Sequence, residues 1–296
     1  MTDETIRFDV SKKPYLFNID NSLKRINDYL KEKHKNNRTV VYTAIVDGYD
    51  ELLVPEYLNP DFDYVCFTDR PISGYGIFEI RPIDYFNVDP VKSARYIKTH
   101  PHKYLKQYDT CIWVDSNIII RCDLNKYVRI LDQSSLAFGG ISHTKRSDLL
   151  EESKLCKERN LDSHQTIDEQ LAHYIKEGFS TNDLIETNFF ICKPNDSRII
   201  DAFSLWWAEI YRYSRRDQLS VNYAFSKAGL NWVSLMPKGI STRNNEEEFS
   251  ILHHHTSLKK IYTNDFTKYF VITDPYSKNT NIPPSTDIVD DIVNVP

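Results

Sequence analysis

Apolar residues along the chain recur in two spacings, and each spacing predicts a different kind of element. Dense runs of β-branched and aromatic residues that end at Gly, Asp or Pro predict strands followed by turns. Segments with apolar residues three or four apart predict amphipathic helices. The strand-like runs cover about residues 40–46, 64–68, 77–80, 111–120, 136–140, 186–192 and 231–236. The helix-like segments cover about residues 19–30, 92–100, 146–178 and 197–214, and this alternation predicts an α/β fold.

The stretch from Cys111 to Ile120 departs from a simple strand pattern at one point. An apolar run leads into the polar triplet Asp115-Ser116-Asn117, and isoleucines resume directly after it. Such a triplet is common in turns, but the immediate return to isoleucine favours an acidic corner at the rim of a buried sheet, where open α/β sheets bind ligands. An ionised carboxylate there is costly unless it is paired, hydrogen-bonded or bound to a metal. Because residues two apart on a strand share a side, Asp115 and Asn117 are expected to offer two oxygens to one hard cation, which could carry a diphosphate.

Composition narrows the kind of protein. At 296 residues the chain is expected to form one large domain over residues 38–262, with a helical extension over 1–37 and a polar extension over 263–296. The net charge of −5 shows no basic bias, so nucleic acid is not an expected partner. The five cysteines are scattered, without a CxxC pair, and predict buried free thiols. Neither a membrane-spanning run nor a signal peptide is recognisable, so we expect a cytoplasmic protein, with peripheral contact at the inner face of the membrane left open.

Charged side chains near two of the predicted strands are further candidates for chemistry. Asp69 follows the run 64–68, where it either caps the turn before Pro71 or faces a ligand. Lys92, Arg95 and Lys98 fall three apart on one helical face. A solvated surface is the default interpretation of that spacing, and contact with phosphate is the alternative.

The second half of the chain adds an acid and a run of imidazoles. Asp217 stands at a predicted helix start between polar side chains, so both an N-cap and a functional acid are open. Three consecutive histidines, His253 to His255, are good ligands for Mn²⁺ or Zn²⁺ and could complete a cation site that begins at Asp115.

The order of these features resembles nucleotide-sugar glycosyltransferases of the GT-A type. More narrowly, the chain is similar to the glycosyltransferase-like domain of plant mucilage and turgor-defect proteins, a family that also has bacterial members. The resemblance covers about residues 38–262 and implies a GT-A-like, mixed but mostly parallel central sheet flanked by helices in a single domain. The segments that carry it are Pro101-His102, Ile112-Trp113-Val114-Asp115-Ser116, residues 168–174, Trp207-Ala208-Glu209 and Arg216-Asp217-Gln218-Leu219-Ser220.

The resemblance also implies a role for individual positions. The implied metal ion is Mn²⁺ or Mg²⁺, and its ligands are Asp115, Asn117 and one of His253, His254 or His255. Asn117 departs from the family's pattern, because a neutral amide replaces the second carboxylate. The implied donor contacts are Thr43, Ala44 and Asp69 to the nucleoside, Arg95, Lys98, Lys259 and Lys260 to the phosphates, and Glu186 and Asn188 beneath the sugar. Ser116 and Gln218 are further implied substrate-binding residues. Asp217 lies on the acceptor side.

The function implied is metal-assisted transfer of a hexosyl group from a nucleoside diphosphate sugar, with UDP-sugars favoured, to a glycan or glycolipid acceptor in surface polysaccharide biosynthesis. In an inverting enzyme Asp217 would act as general base. In a retaining enzyme it would position substrate, and Glu186 would lie near the anomeric carbon. The alternatives are a metal-dependent lipid amidase or hydrolase, although the chain has neither an HExxH nor a GxSxG motif, and an inactive glycan-binding protein.

Overall fold

The structure is a computed structural model that describes residues 19–252 together with Ile272 and Thr273. Its strands are β1 (Thr39–Ile45), β2 (Phe62–Thr68), β3 (Ile72–Ser73), β4 (Phe78–Pro82), β5 (Thr110–Val114), β6 (Ile118–Ile120), β7 (Phe138–Ser142), β8 (Ile185–Cys192), β9 (Val233–Ser234), β10 (Phe249–Ile251) and β11 (Ile272–Thr273). Its helices are α1 (Ile19–Glu32), α2 (Pro90–Thr99), α3 (Pro101–Tyr104), α4 (Asn125–Ser134), α5 (Leu149–Glu158), α6 (His164–Lys176), α7 (Ser197–Arg212) and α8 (Val221–Ala228), with a 3₁₀ helix at Asp217–Leu219.

A seven-stranded sheet in the order β4-β2-β1-β5-β8-β7-β9 forms the centre of the molecule. The pairs β1–β2, β1–β5, β2–β4 and β7–β9 are parallel, and β8 runs antiparallel to both of its neighbours. The expected α/β fold with a mixed, mostly parallel sheet flanked by helices is therefore confirmed. Two further pairs, β6 with β10 and β3 with β11, form small antiparallel sheets.

Hydrophobic residues cover both faces of the large sheet, because its strands are apolar on both sides rather than alternating. On one face, Ile26 and Tyr29 of α1 and Leu131 of α4 join a core with alternate residues of β1 and β5. On the other face, α2, α7 and α8 contribute a second core, which includes Ile97 and Trp206. The ends of the strands in the large sheet therefore lie between two packed hydrophobic layers.

Two predicted elements have different boundaries. The interrupted strand predicted over 111–120 is two strands that belong to different sheets, because the Ile118 amide donates to the Asp115 carbonyl at 3.0 Å and turns the chain between β5 and β6. The region 146–178 contains two helices, since Asn160 adopts a positive φ of 49° and ends the first. Ser163 then caps the next helix by accepting from the Thr166 amide.

The cysteine prediction is confirmed. No cysteine of this chain is disulfide-bonded, and all but the half-buried Cys122 are fully buried. Among the described residues, none of the helices combines the length and the apolar character that crossing a lipid bilayer requires.

Candidate functional site

The carboxyl end of β5 places Asp115 at the rim of the large sheet. Its backbone amide donates to the Asn188 carbonyl of β8 at 2.9 Å. Its Oδ1 accepts a hydrogen bond from Trp113 Nε1 at 2.7 Å and lies 3.5 Å from Lys98 Nζ. The side chain keeps 28% of its surface exposed, so this carboxylate is anchored on one side and accessible on the other.

Lys98 is the buried cation beneath this corner. Its side chain has no exposed surface, and Nζ lies 2.5 Å from Asp217 Oδ2. The ammonium also stands 5.1 Å from the Trp113 ring and 5.9 Å from the Trp206 ring. Burial lowers the pKa of Lys98, and the nearby carboxylates of Asp115 and Asp217 oppose that effect. A solvated helical face is therefore the wrong interpretation for Lys98, because α2 turns this residue into the core.

Asp217 is the second buried acid. It begins the 3₁₀ helix, is 2% exposed, and has Arg95 Nε 3.4 Å from its Oδ1. It does not cap α8, whose first turn follows Ser220 without a side-chain cap. Burial alone would raise the pKa of Asp217, but the positive charges of Arg95, Lys98 and Arg216 outweigh it and hold that pKa well below its usual range. The carboxylate is therefore ionised at neutral pH and is a weak base.

β8 supplies Glu186 and Asn188, two residues apart and both buried. The segment after β9 holds one end of each side chain: Arg243 Nε donates to Glu186 Oε1 at 2.8 Å, and Asn188 Nδ2 donates to Thr242 Oγ1 at 2.8 Å. Burial raises the pKa of Glu186, while the Arg243 guanidinium opposes that rise. The two acids singled out from the sequence thus have pKa values shifted in opposite directions, Asp217 downward and Glu186 upward.

Unpartnered polar atoms are concentrated on the residues that the sequence selects. Among the described residues, nine buried side-chain nitrogen or oxygen atoms lack a hydrogen-bond partner. Buried polar groups are normally paired, and each exception calls for an explanation. Five of the nine lie on predicted site residues, namely Thr43 Oγ1, Arg95 Nε, Glu186 Oε2, Asn188 Oδ1 and Gln218 Nε2. A polar ligand at this end of the sheet would satisfy such atoms.

The triplet itself is a turn, so strand alternation does not determine the direction of the Asn117 side chain. Its Nδ2 donates to the Leu252 carbonyl at 2.9 Å, and the Leu252 amide returns a bond to the Asn117 carbonyl at 2.9 Å. The Ser116 hydroxyl donates to Asp50 Oδ2 at 2.5 Å. In the part of the chain from 19 to 252, no group of three or more His, Cys, Asp or Glu side chains is arranged to hold a metal ion. His253, His254, His255, Lys259 and Lys260 lie outside the described residues.

The residues predicted to contact the nucleoside lie on β1 and at the end of β2. Thr43 and Ala44 are buried in β1. Both carboxylate oxygens of Asp69 accept from the Asp47 amide, at 3.1 and 3.0 Å, so Asp69 holds the loop after β1 in place. These contacts are with the loop after β1 and not with the turn before Pro71, so they decide neither of the two interpretations of Asp69.

Sequence reasoning missed several partners of the site. Trp113 could have been found, because it precedes Asp115 by two residues and shares its side of β5. Arg216 was recognisable as a polar neighbour of Asp217, but the sequence does not show that it lowers the pKa of that acid. Arg243 and Asp50 carry no local signal, since each meets its partner only through the tertiary fold.

Comparison with known proteins gives one informative match. No curated protein matches the chain. Solved structures with similar coordinates include the bifunctional glycosyltransferase WbbM (11% identity, 68% of this chain and 39% of that chain, TM-score 0.40). A second is the galactosyltransferase LgtC (12% identity, 66% of this chain and 72% of that chain, TM-score 0.38). A third is core-mannan synthase A from Aspergillus fumigatus in its Mn/GDP form (11% identity, 67% of this chain and 73% of that chain, TM-score 0.38). The chain thus spans well under half of WbbM. A family model described as TOD1/MUCI70, glycosyltransferase-like domain, matches residues 76–255. Because this match covers more than half of the chain, the protein belongs to the TOD1/MUCI70 glycosyltransferase-like family.

Proposed function

We propose that this chain transfers a glycosyl group, with a hexosyl group favoured, from a nucleoside diphosphate sugar to a glycan or glycolipid acceptor. A UDP-sugar is the favoured donor. The observation that carries the proposal is the set of unpartnered buried polar atoms on Thr43, Asn188 and Gln218. Leaving such atoms unsatisfied costs about 1–3 kcal/mol each. A sugar nucleotide, which is rich in hydroxyl and phosphate groups, would recover that free energy on binding.

The charges at the rim fit the bond changes of the reaction. The bond between the anomeric carbon and the departing phosphate oxygen breaks, and a bond to the acceptor oxygen forms. Negative charge then grows on the diphosphate, where fixed cations stabilise it without reorganisation. In this proposal Arg95, whose side chain is 16% exposed, would meet this charge, and Lys98 would support it from beneath through Asp115 and Asp217.

The two acids take different roles in this proposal. A carboxylate whose pKa lies below its usual range accepts a proton poorly. Asp217 is therefore favoured as a positioning group that orders Arg95, Lys98 and the acceptor, the role that it would have in a retaining enzyme. The acceptor proton then passes to the departing diphosphate oxygen. Glu186, beneath the sugar and beside Asn188, is the candidate close to the anomeric carbon.

The oxygen-rich corner fits a divalent cation in part. Asp115 and Asn117 would hold Mn²⁺ or Mg²⁺, and the described chain leads from Leu252, hydrogen-bonded to Asn117, directly into the histidine run. Imidazole and carboxylate together suit Mn²⁺. When bound, such a cation supplies electrophilic stabilisation of the diphosphate oxygens. We assign one of the three histidines to this shell, and Lys259 or Lys260 to the diphosphate.

The cellular setting belongs to the same proposal. A glycan or glycolipid acceptor is consistent with a role in surface polysaccharide biosynthesis, carried out in the cytoplasm or at the inner face of the membrane. The donor and acceptor are to be identified by binding, as follows.

A thermal-shift screen tests the proposed function directly. UDP, GDP, CDP and their sugars are added to the full chain with and without Mn²⁺. A ligand at a hundred times its dissociation constant stabilises the folded state by about 2.7 kcal/mol, so one nucleotide class is expected to raise Tm by several degrees. Asp115→Asn should lose the Mn²⁺-dependent part of the shift. Asp109→Asn, an exposed acid paired with Arg38, is the matched control and should keep it. If no nucleotide stabilises the wild-type protein, the proposed donor class is wrong.

A further inference from the structure

Asp50 is a carboxylate at the predicted cation corner that does not belong to the Asp-Ser-Asn triplet. It lies in the loop after β1, sixty-six residues before Ser116, and is half-buried. Its Oδ2 accepts the Ser116 hydroxyl at 2.5 Å. Because Ser116 follows Asp115 directly, this hydrogen bond brings a second acid to the corner from a different strand.

The triplet alone is short of negative charge for a divalent ion. Oxygen sites for hard cations gain affinity with the number of charged ligands. The triplet offers the carboxylate of Asp115, whose Oδ1 is already hydrogen-bonded to Trp113, and the neutral amide of Asn117. Since Asn117 Nδ2 donates to the Leu252 carbonyl, its amide oxygen faces away from that carbonyl and remains able to act as a ligand.

A second, independent feature points to a ligand at the same place. Asn188 is 5% exposed, yet its Oδ1 has no hydrogen-bond partner. Its carbonyl accepts the Asp115 amide. Val114 pairs with Phe189 at the end of β5, so continuing this register by one residue sets Asp115 opposite Asn188. Opposed residues of an antiparallel pair share a face with Cβ atoms roughly 4.5–5.5 Å apart. An unsatisfied, buried oxygen thus lies next to Asp115, as expected where a ligand or its water completes the pairing.

We propose that Asp50 supplies the carboxylate that Asn117 does not, so that the cation site is formed by Asp50 and Asp115 across two strand ends. This inference rests on the proposed use of a divalent cation. It goes beyond it, because it assigns the second acid to the loop after β1, which the turn contacts of Asp69 hold in place.

Mn²⁺ binding to the full chain tests the assignment without any measurement of activity. Free Mn²⁺ is followed by electron paramagnetic resonance during titration, with and without UDP. Asp50→Asn, which keeps the shape of the side chain, should weaken Mn²⁺ binding by about tenfold or more. Ser116→Ala should weaken it less, because the Asp50 carboxylate remains. Asp47→Asn is the matched control in the same loop, since Asp47 is exposed and pairs with Arg70.

The outcomes separate this inference from the proposed function. If Asp115→Asn abolishes Mn²⁺ binding while Asp50→Asn binds like Asp47→Asn, the assignment of Asp50 is overturned and the proposed function stands. If Ser116→Ala weakens Mn²⁺ binding as much as Asp50→Asn does, then Asp50 acts only by orienting Ser116 and is not a ligand. If the wild-type protein binds UDP but no Mn²⁺, both the cation site and the role of Asp50 are overturned, and the donor class survives.

Discussion

Replacing either member of the buried pair Lys98–Asp217 should destabilise the fold strongly, and replacing both should cost less than the sum. The two side chains are at most 3% exposed and lie 2.5 Å apart. Removing one member of a buried ion pair leaves the other charge without compensation, which costs about 3–5 kcal/mol. The exact cost depends on the partners that remain.

Those partners moderate each single substitution. After Asp217→Asn, the Lys98 ammonium keeps Asp115 at 3.5 Å. After Lys98→Met, the Asp217 carboxylate keeps Arg95 at 3.4 Å. We therefore expect each single variant to lose about 3 kcal/mol of unfolding free energy, the lower end of the range for a broken buried pair. Lys98→Met with Asp217→Asn removes both charges, so a coupling of about 2 kcal/mol should make the double variant more stable than additivity predicts.

Urea unfolding followed by circular dichroism measures all four proteins of the cycle. The exposed pair Lys103–Asp84, 3.2 Å apart with side chains 44% and 59% exposed, provides the matched control. Surface pairs contribute about 0–1 kcal/mol, so Lys103→Met and Asp84→Asn should have small effects. The reasoning is refuted if the buried substitutions add to within about 0.5 kcal/mol, the limit observed for independent sites, or if either one costs no more than the surface control.

Three further predictions concern the surrounding fold. Burial lowers the pKa of His143 from 6.5 to about 4. Between these two pH values the unfolded chain binds a proton that the folded chain does not, so the free energy of unfolding should fall as pH falls. If the free energy of unfolding of His143→Gln depends on pH as steeply as that of the wild-type protein, this prediction is contradicted. Tyr174→Phe removes the hydroxyl that donates to the buried Glu209 at 2.9 Å and should cost about 1–3 kcal/mol in urea unfolding. If Tyr174→Phe loses less unfolding free energy than a Tyr→Phe control at an exposed position, the Tyr174 hydroxyl is not a stabilising hydrogen-bond partner of Glu209. Gly139→Ala places a Cβ 2.6 Å from Leu235 and should cost about 1–3 kcal/mol by overpacking, whereas an unchanged Tm would show that Leu235 moves freely.

Local patterns predicted the strands and the acidic corner because both depend on neighbouring residues. Dense apolar runs identified β1, β2 and β8, since strands buried on both faces need apolar residues at every position. Asp115 was recognisable because one acid interrupted such a run. The antiparallel direction of β8 left no trace in composition, because direction depends on how the chain returns to the sheet.

The missed features share a physical cause, which is that their partners are distant in sequence. The spacing of Arg95 and Lys98 shows a common helical face, but only the packing of α2 against α7 and the sheet shows that this face is buried. The sequence left an N-cap open for Asp217 because this residue stands at a predicted helix start. Two of the three cations that hold it ionised, Arg95 and Lys98, come from α2, more than a hundred residues earlier. Asp50 meets Ser116 in the same way.

The charge count at the rim explains why burial of these groups is tolerated and which ligand they suit. Three cations, Arg95, Lys98 and Arg216, act on the two carboxylates Asp115 and Asp217. Glu152 is a third carboxylate close to Arg216, so the cations and carboxylates of this cluster are equal in number, and their mutual pairing reduces the free-energy cost of burying charge. Asp115 keeps 28% of its side-chain surface exposed, so in the proposed function a divalent ion would bridge this carboxylate to an incoming diphosphate. In that arrangement the acid at the rim and the buried cations beneath it would belong to one site.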